Sequence, residues 1–241
     1  MKKFVIGLVA VKLTFLISLA ALFLTGQGDF PVSSQTRRKT PTPTATPADD
    51  TISRPTSEPF KGDLSRYDRE GRAEKLQIER VMDLLGIAAG KSVADIGAGG
   101  GWFSAIASKR VGEKGIVYAV DVNEDAIKYI NERKEKENLI NIRAILGTTE
   151  DPLLPKKSVD AVLILNTYHE FGQPVKLMKN LRAALKKDAL VGIIDRDGRG
   201  DDHGIDQQTI IEEAGKAGYE LKGTYDFVED TMDYFLIFRV K

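Results

Sequence analysis

The chain has 241 residues, room for one α/β domain with extensions, and its 35 basic and 35 acidic side chains cancel. Seven basic and four acidic residues fall within 1–60, leaving 28 against 31 in the remainder, which therefore lacks the basic excess of a nucleic-acid-binding domain. The absence of cysteine rules out a disulfide, a thiolate metal site and a cysteine nucleophile.

At the amino terminus, Lys2 and Lys3 precede an apolar stretch, 4–24, interrupted by Lys12. Its unbroken part, from Leu13 to Leu24, has the length of a signal-peptide hydrophobic region and is short for a membrane span. If Lys12 snorkels, the full stretch is long enough to stay as an anchor. Residues 1–28 are therefore read as a signal peptide or membrane anchor, with 4–24 as the membrane-associating part. The folded part is expected to be exported to the periplasm or membrane-anchored, on a side left open. Residues 29–60 hold six of the nine prolines, including Thr-Pro-Thr-Pro-Thr-Ala-Thr-Pro at 40–47, and almost no large apolar side chain. Such a segment buries too little surface to offset its ordering entropy, which predicts a disordered linker.

The folded domain is expected over 61–241. Leu76, Val81, Leu84 and Leu85 recur near helical spacing and predict a helix over 72–85, stopped by Gly86. A strand at 92–96, a helix at 102–110 and a strand at 116–120 follow. Asn123 is placed to cap a helix over 124–138, and 141–146 reads as the third strand. Pro152 and Pro155 mark a loop before 159–165, which is apolar nearly throughout, as a parallel strand covered on both faces must be. A helix at 173–186 and a strand at 189–195 continue the alternation. Asp206 looks like the cap of a helix ending near Gly215 or Gly218, and strand-like runs at 219–228 and 233–240 close the chain. Alternation of β and α elements predicts an α/β, doubly wound, mostly parallel seven-stranded sheet whose last two strands form an antiparallel edge.

The most informative stretch is Val93-Ala94-Asp95-Ile96-Gly97-Ala98-Gly99-Gly100-Gly101, with Asp121 twenty residues beyond its last glycine. A glycine turn between strand and helix lets the backbone approach a ligand, and an acid at the end of the next strand is placed to accept from ribose hydroxyls. Together they predict a nucleoside-like cofactor. A dinucleotide fingerprint would need its third glycine where Trp102 stands. Ligands of such sheets bind outside the carboxyl ends of the strands. That edge gathers the 97–101 turn, Asp121, the loop at 147–151, the segment Asn166-Thr167-Tyr168-His169-Glu170, and the loop carrying His203.

The pattern Asp95-x-Gly97-x-Gly99-x-Gly101, with Tyr118-Ala119-Val120-Asp121 and Leu153-Leu154-Pro155 leading into Ser158-Val159-Asp160-Ala161-Val162, resembles the class I S-adenosylmethionine-dependent methyltransferases. Asn166-Thr167-Tyr168-His169 and His203-Gly204-Ile205-Asp206 resemble a bacterial subgroup carrying an N-terminal export signal or anchor. The resemblance implies a Rossmann-like methyltransferase fold, S-adenosylmethionine as cofactor, and methyl transfer to a small-molecule or lipid-like acceptor. It places Asp95, Gly97, Ala98, Gly99, Gly101, Asp121 and Val122 at the cofactor, and Asn166 toward its methionine end. The family usually carries a Gly-Asp pair facing the adenine amino group. Here Thr148 takes the acid's place, with Thr149 beside it among the cofactor-binding residues and Glu150, Asp151 or backbone groups as alternative partners. His169 is the candidate general base, since imidazole titrates near neutral pH. Tyr168, His169, Glu170 and His203 are the substrate-binding candidates, and no metal is assigned. Two other readings remain open from sequence: a non-catalytic S-adenosylmethionine-binding module and an NAD-dependent oxidoreductase.

Overall fold

The computed structural model describes residues 52–56, 60–198 and 203–241. The segment 1–28 and most of 29–60 lie outside the described residues. Among the described residues, no helix is long and apolar enough to cross a membrane.

Ahead of the sheet, a 3-10 turn over Leu64–Tyr67 is capped by Asp63, whose carboxylate accepts from the Ser65 amide. Helices α1 (Arg72–Lys75) and α2 (Ile78–Leu84) follow. The single helix expected over 72–85 breaks at Gln77, which is left-handed with φ 46°. The break lets Leu76 drop into the core while the Gln77 side-chain amide donates to the Phe227 carbonyl. At the far end Gly86 does what its position predicts. The amides of Gly86 and Ile87 turn back onto the carbonyls of Asp83 and Met82, closing α2.

The strands are β1 (Ser92–Ile96), β2 (Ile116–Asp121), β3 (Ile142–Leu146), β4 (Val159–Leu165), β5 (Leu185–Asp195), β6 (Tyr219–Tyr225) and β7 (Tyr234–Val240). They are interleaved with helices α3 (Trp102–Val111), α4 (Glu124–Lys136), α5 (Pro174–Leu181) and α6 (Gln207–Lys216). The sheet order is β3-β2-β1-β4-β5-β7-β6. β1 to β5 run parallel, and β7 is antiparallel to both of its neighbours. The sheet is thus mixed, with the antiparallel pair at one edge as expected.

Side-chain alternation along β4 explains why so apolar a strand is stable. Val162 and Ile164 face a core shared with Val175, Leu181 and Ile210 of α5 and α6. Ala161 and Leu163 face the opposite core, shared with Val81 and Phe103 of α2 and α3. α4 presents Ala126 and Ile130 inward. Its Asn123 cap accepts from the Asp125 amide, acids fill its first turn and bases its last, each matching the helix dipole.

The boundaries around β5 and the cap of α6 differ from those read in sequence. α5 gives way after Leu181 to a 3-10 turn, Arg182–Ala184, and β5 already starts at Leu185. Residues between Leu185 and Leu190 bulge out of the β4 register, with Asp188 left-handed and Lys186 paired with Asp160. Asp206 occupies the cap position of α6, but its carboxylate meets the Thr209 hydroxyl at 3.5 Å rather than a backbone amide.

Candidate active site

Strand order reverses between β1 and β4, and there the carboxyl ends of the strands open a cavity of about 600 Å³. Its floor is the glycine turn. The amides of Gly97 and Ala98 both donate to the Val120 carbonyl, tying the turn to the end of β2. Gly97 has φ 76°, and a Cβ there would lie 2.2 Å from the Thr167 side chain, so only glycine lets β1 and the β4 loop close on each other. Gly97, Ala98 and Gly99 line the cavity. Gly101 does not. It caps α3 in a left-handed conformation, and its role is to turn the chain into the helix.

Asp121 ends β2 at the cavity wall. One carboxylate oxygen accepts from the Gly99 amide at 2.8 Å and the other from the Asn123 amide at 2.9 Å. A carboxylate has about four lone-pair positions, so the two that remain are available to a pair of hydroxyls. Asp95, only 2% exposed, lies beneath the turn and accepts from the Ser104 hydroxyl at 2.7 Å. Burial pushes its carboxyl up to about 6, Ser104 opposes the rise, and the neighbouring Asp121 charge adds to it.

Asn166 stands just past β4 with φ 53°, its amide held by the Ile194 carbonyl. Its side-chain Oδ1 is buried without a hydrogen-bond partner on the wall of the cavity. A buried orphan acceptor is costly unless a ligand satisfies it. This acceptor, the outward lone pairs of Asp121 and the Cβ-free cradle at Gly97 fit the amino acid, ribose and close-approach needs of S-adenosylmethionine.

At the other wall, Val122, Thr148 and Thr149 line the cavity. Thr148 is occupied within its own turn: its amide donates to the Asp151 carbonyl and its hydroxyl oxygen accepts from the Asp151 amide. Neither acid offered as a replacement faces the cavity. Glu150 pairs with Lys176, and Asp151 accepts from the Leu153 amide.

A one-turn 3-10 helix, Tyr168–Glu170, follows Asn166 and separates the acceptor-side candidates. Tyr168 is a correction to the substrate-binding expectation. It is fully buried and packs on Phe171 with ring centroids 5.1 Å apart, turned away from the cavity. His169, 5% exposed, points the other way. Its Nδ1 lies 2.8 Å from one oxygen of Asp195, and its backbone amide donates to the other at 3.1 Å. Asp195 ends β5 and is inaccessible to solvent, and its carboxylate oxygens accept from the Nδ1–H, which leaves the lone pair on Nε2 facing the cavity. That lone pair is what a general base needs, and equally what a metal ligand needs. Glu170 and His203 join His169 on the same wall, with Glu170 Oε1 3.4 Å from both His169 Nε2 and His203 Nδ1.

Sequence reasoning assigned no role to three contributors. Asp195 carried a weak signal, an acid closing a strand at the ligand edge. Arg196, whose Nε is buried and unpartnered beside the cavity, carried only adjacency to it. The third is the cover formed by Phe60, Leu64 and Tyr67, anchored where the Phe60 carbonyl accepts from the Asn123 side chain. Asp63 as a cap and the apolar pair Leu64 and Tyr67 were its only traces in sequence.

A family model for a methyltransferase domain matches residues 87–216, more than half of the chain. Among solved structures, a SAM dependent methyltransferase from Aquifex aeolicus is similar at 26% identity with a TM-score of 0.68, over 75% of this chain and 100% of that one. Fibrillarin from Aeropyrum pernix, crystallised with natively bound S-adenosyl-L-methionine, shares the fold at 18% identity and TM-score 0.51, over 67% of this chain and 74% of that one. The mitomycin 7-O-methyltransferase MmcR shares it at 16% identity and TM-score 0.57, over 71% of this chain and 54% of its own length. The family match sets aside the nicotinamide alternative, in keeping with Trp102, which lies buried at the position where a dinucleotide site needs glycine. A glycine cradle, an acid with two unused acceptor positions and an orphan amide oxygen on one cavity agree with that match, and the chain belongs to the methyltransferase-domain family as an S-adenosylmethionine-dependent enzyme.

Proposed function

We propose that the chain methylates a small molecule whose nucleophilic end is received by the His169–Glu170–His203 wall, with Asp121 and the glycine turn at the cofactor's ribose and Asn166 at its methionine end. The observation that carries this reading is the commitment of His169 Nδ1 to buried Asp195, which leaves an oriented lone pair on the cavity wall that follows β4. When bound, S-adenosylmethionine supplies a methyl group on a positively charged sulfur, which keeps the C–S electron pair as the acceptor's lone pair takes the methyl carbon. The chain's own contribution is chiefly positioning, because the donor is already activated. Asp121 and Asn166 fix the two ends of the cofactor, His169 fixes the acceptor, and the Phe60–Tyr67 cover limits water. The cavity falls within the range of about 300–1,000 Å³ typical of small-molecule sites.

Two measurements on the full chain test this. Calorimetry with S-adenosylhomocysteine is expected to show micromolar binding that Asp121→Ala weakens about tenfold or more, or about 1.4 kcal/mol. A methyl-label transfer screen with pooled hydroxyl- and amine-bearing acceptors is expected to find turnover that His169→Ala abolishes while S-adenosylhomocysteine binding persists. No binding by the folded chain refutes the cofactor placement. Turnover untouched by His169→Ala refutes the acceptor placement.

A further inference from the structure

Three side chains that bind metals well converge on the acceptor wall, although nothing in the sequence assigned a metal to them. Among the described residues, His169, Glu170 and His203 are the one such cluster, with donor atoms all within 4.8 Å of one another. They come from two places in the chain. His169 and Glu170 are consecutive on the 3-10 turn after β4, and His203 belongs to the connection between β5 and α6. The two imidazole rings stand nearly perpendicular, 79° apart, with centroids 6.2 Å apart.

Their spacing is informative. Glu170 Oε1 lies 3.4 Å from His169 Nε2 and 3.4 Å from His203 Nδ1. Both separations are longer than a well-formed hydrogen bond, which runs to about 3.2 Å. Two donor atoms bound at about 2.1 Å to one tetrahedral cation stand roughly 3.4 Å apart. Behind the cluster, Asp195 holds His169 Nδ1, the buried carboxylate–imidazole arrangement that fixes the tautomer and orientation of a metal-binding histidine. The trio lines the cavity, which is open to solvent oxygen as further ligands.

We propose that His169 Nε2, Glu170 and His203 Nδ1 bind one divalent first-row transition cation. The ion presents an acceptor oxygen to the methyl group. Two imidazoles and one carboxylate suit zinc, manganese, iron or cobalt, whereas magnesium and calcium favour all-oxygen sets. A hydroxyl held there loses its proton to solvent more readily, so no side-chain base is required and no redox partner enters. The role given to the acceptor rests on the methyl-transfer reading; the binding of the cation does not.

The test uses the full chain, stripped with a chelator and titrated with Co²⁺ while its visible absorption is followed. One equivalent is expected to produce the bands of a low-symmetry nitrogen–oxygen site, displaced by Zn²⁺ and not by Mg²⁺. His203→Ala and Glu170→Gln are each expected to weaken cobalt binding, and Asp195→Asn to weaken it roughly 10- to 100-fold. S-adenosylhomocysteine binding by the two ligand variants reports that they are folded. Asp121→Ala is expected to show the reverse pattern, weak cofactor binding with intact cobalt binding. Absence of cobalt bands, or bands that survive both ligand substitutions, overturns the metal site. If S-adenosylhomocysteine still binds in that case, the methyltransferase reading stands and His169 acts as a metal-free acceptor residue. If cobalt binds as expected while S-adenosylhomocysteine does not, the metal site stands and the cofactor placement falls.

Discussion

Burial of Asp95 beneath the glycine turn lifts its carboxyl from 3.8 to about 6, because the charged form loses hydration that Ser104 only partly replaces. The folded value lies above the unfolded one, so Asp95 favours folding fully below 3.8, and that contribution is lost as pH rises through about 6. The gap corresponds to about 3 kcal/mol. Asp95→Asn keeps an acceptor for the Ser104 hydroxyl and removes the titration. Urea unfolding is therefore expected to show wild type losing about 3 kcal/mol relative to the variant between about pH 4 and about pH 7.5. A constant difference across that range refutes the assignment. The meeting of Gly97 and Asp121 at one cavity was legible in sequence, because a turn and the next strand end lie close by construction. Asp195 was legible only as an acid at the right edge. Its partner stands 26 positions away, and the pairing follows from the β4–β5 register. Tyr168 and His169 were not distinguishable in sequence, since one turn of 3-10 helix sends neighbours to opposite sides.

At the scale of elements, the short stretch 52–56 matters more than its composition implies. The Arg54 guanidinium forks onto both oxygens of Glu213 at 3.0 and 3.1 Å, and Arg54 also donates to the Phe171 carbonyl while its amide donates to that of Gly172. Glu213 is buried on α6, where desolvation raises its carboxyl and Arg54 opposes the rise. Removing one member of a buried pair leaves an uncompensated charge. A truncation starting at Lys61, the domain start read from sequence, is expected to lose about 3 kcal/mol at neutral pH. Glu213→Gln in the truncated chain is expected to recover part of it. Equal stability of the two lengths by chemical denaturation refutes the contact. Proline and threonine counts cannot reveal one arginine reaching across 159 positions. The strands were legible because runs such as 159–165 are too apolar for any place but a covered sheet. The break at Gln77 was not, because it depends on the Phe227 carbonyl supplied from the far end of the chain.

For the whole molecule, the consequence of the topology is that no single segment owns the site. The cavity draws on residues 60–67, 97–99, 121–123, 148–149 and 165–172, which come together only when the sheet and both of its cores are formed. An unfolded chain offers those groups scattered, so a ligand of this cavity binds the folded state alone and stabilises it by mass action. S-adenosylhomocysteine at about 100 times its dissociation constant is expected to add about 2.7 kcal/mol, which for a domain of this size raises the melting temperature by roughly 5–10 °C. The shift is expected to extend to probes on either face of the sheet, Trp102 in one core and Tyr219 in the other, because the cavity opens at the sheet edge and assembles only when both cores are formed. NADH at the same concentration is expected to give no shift, and Asp121→Ala to give a smaller one. A shift reported by Trp102 alone means that the ligand steadies only the α3 side and that the site is assembled before the rest of the sheet; no shift in a folded chain removes the cavity as the cofactor site.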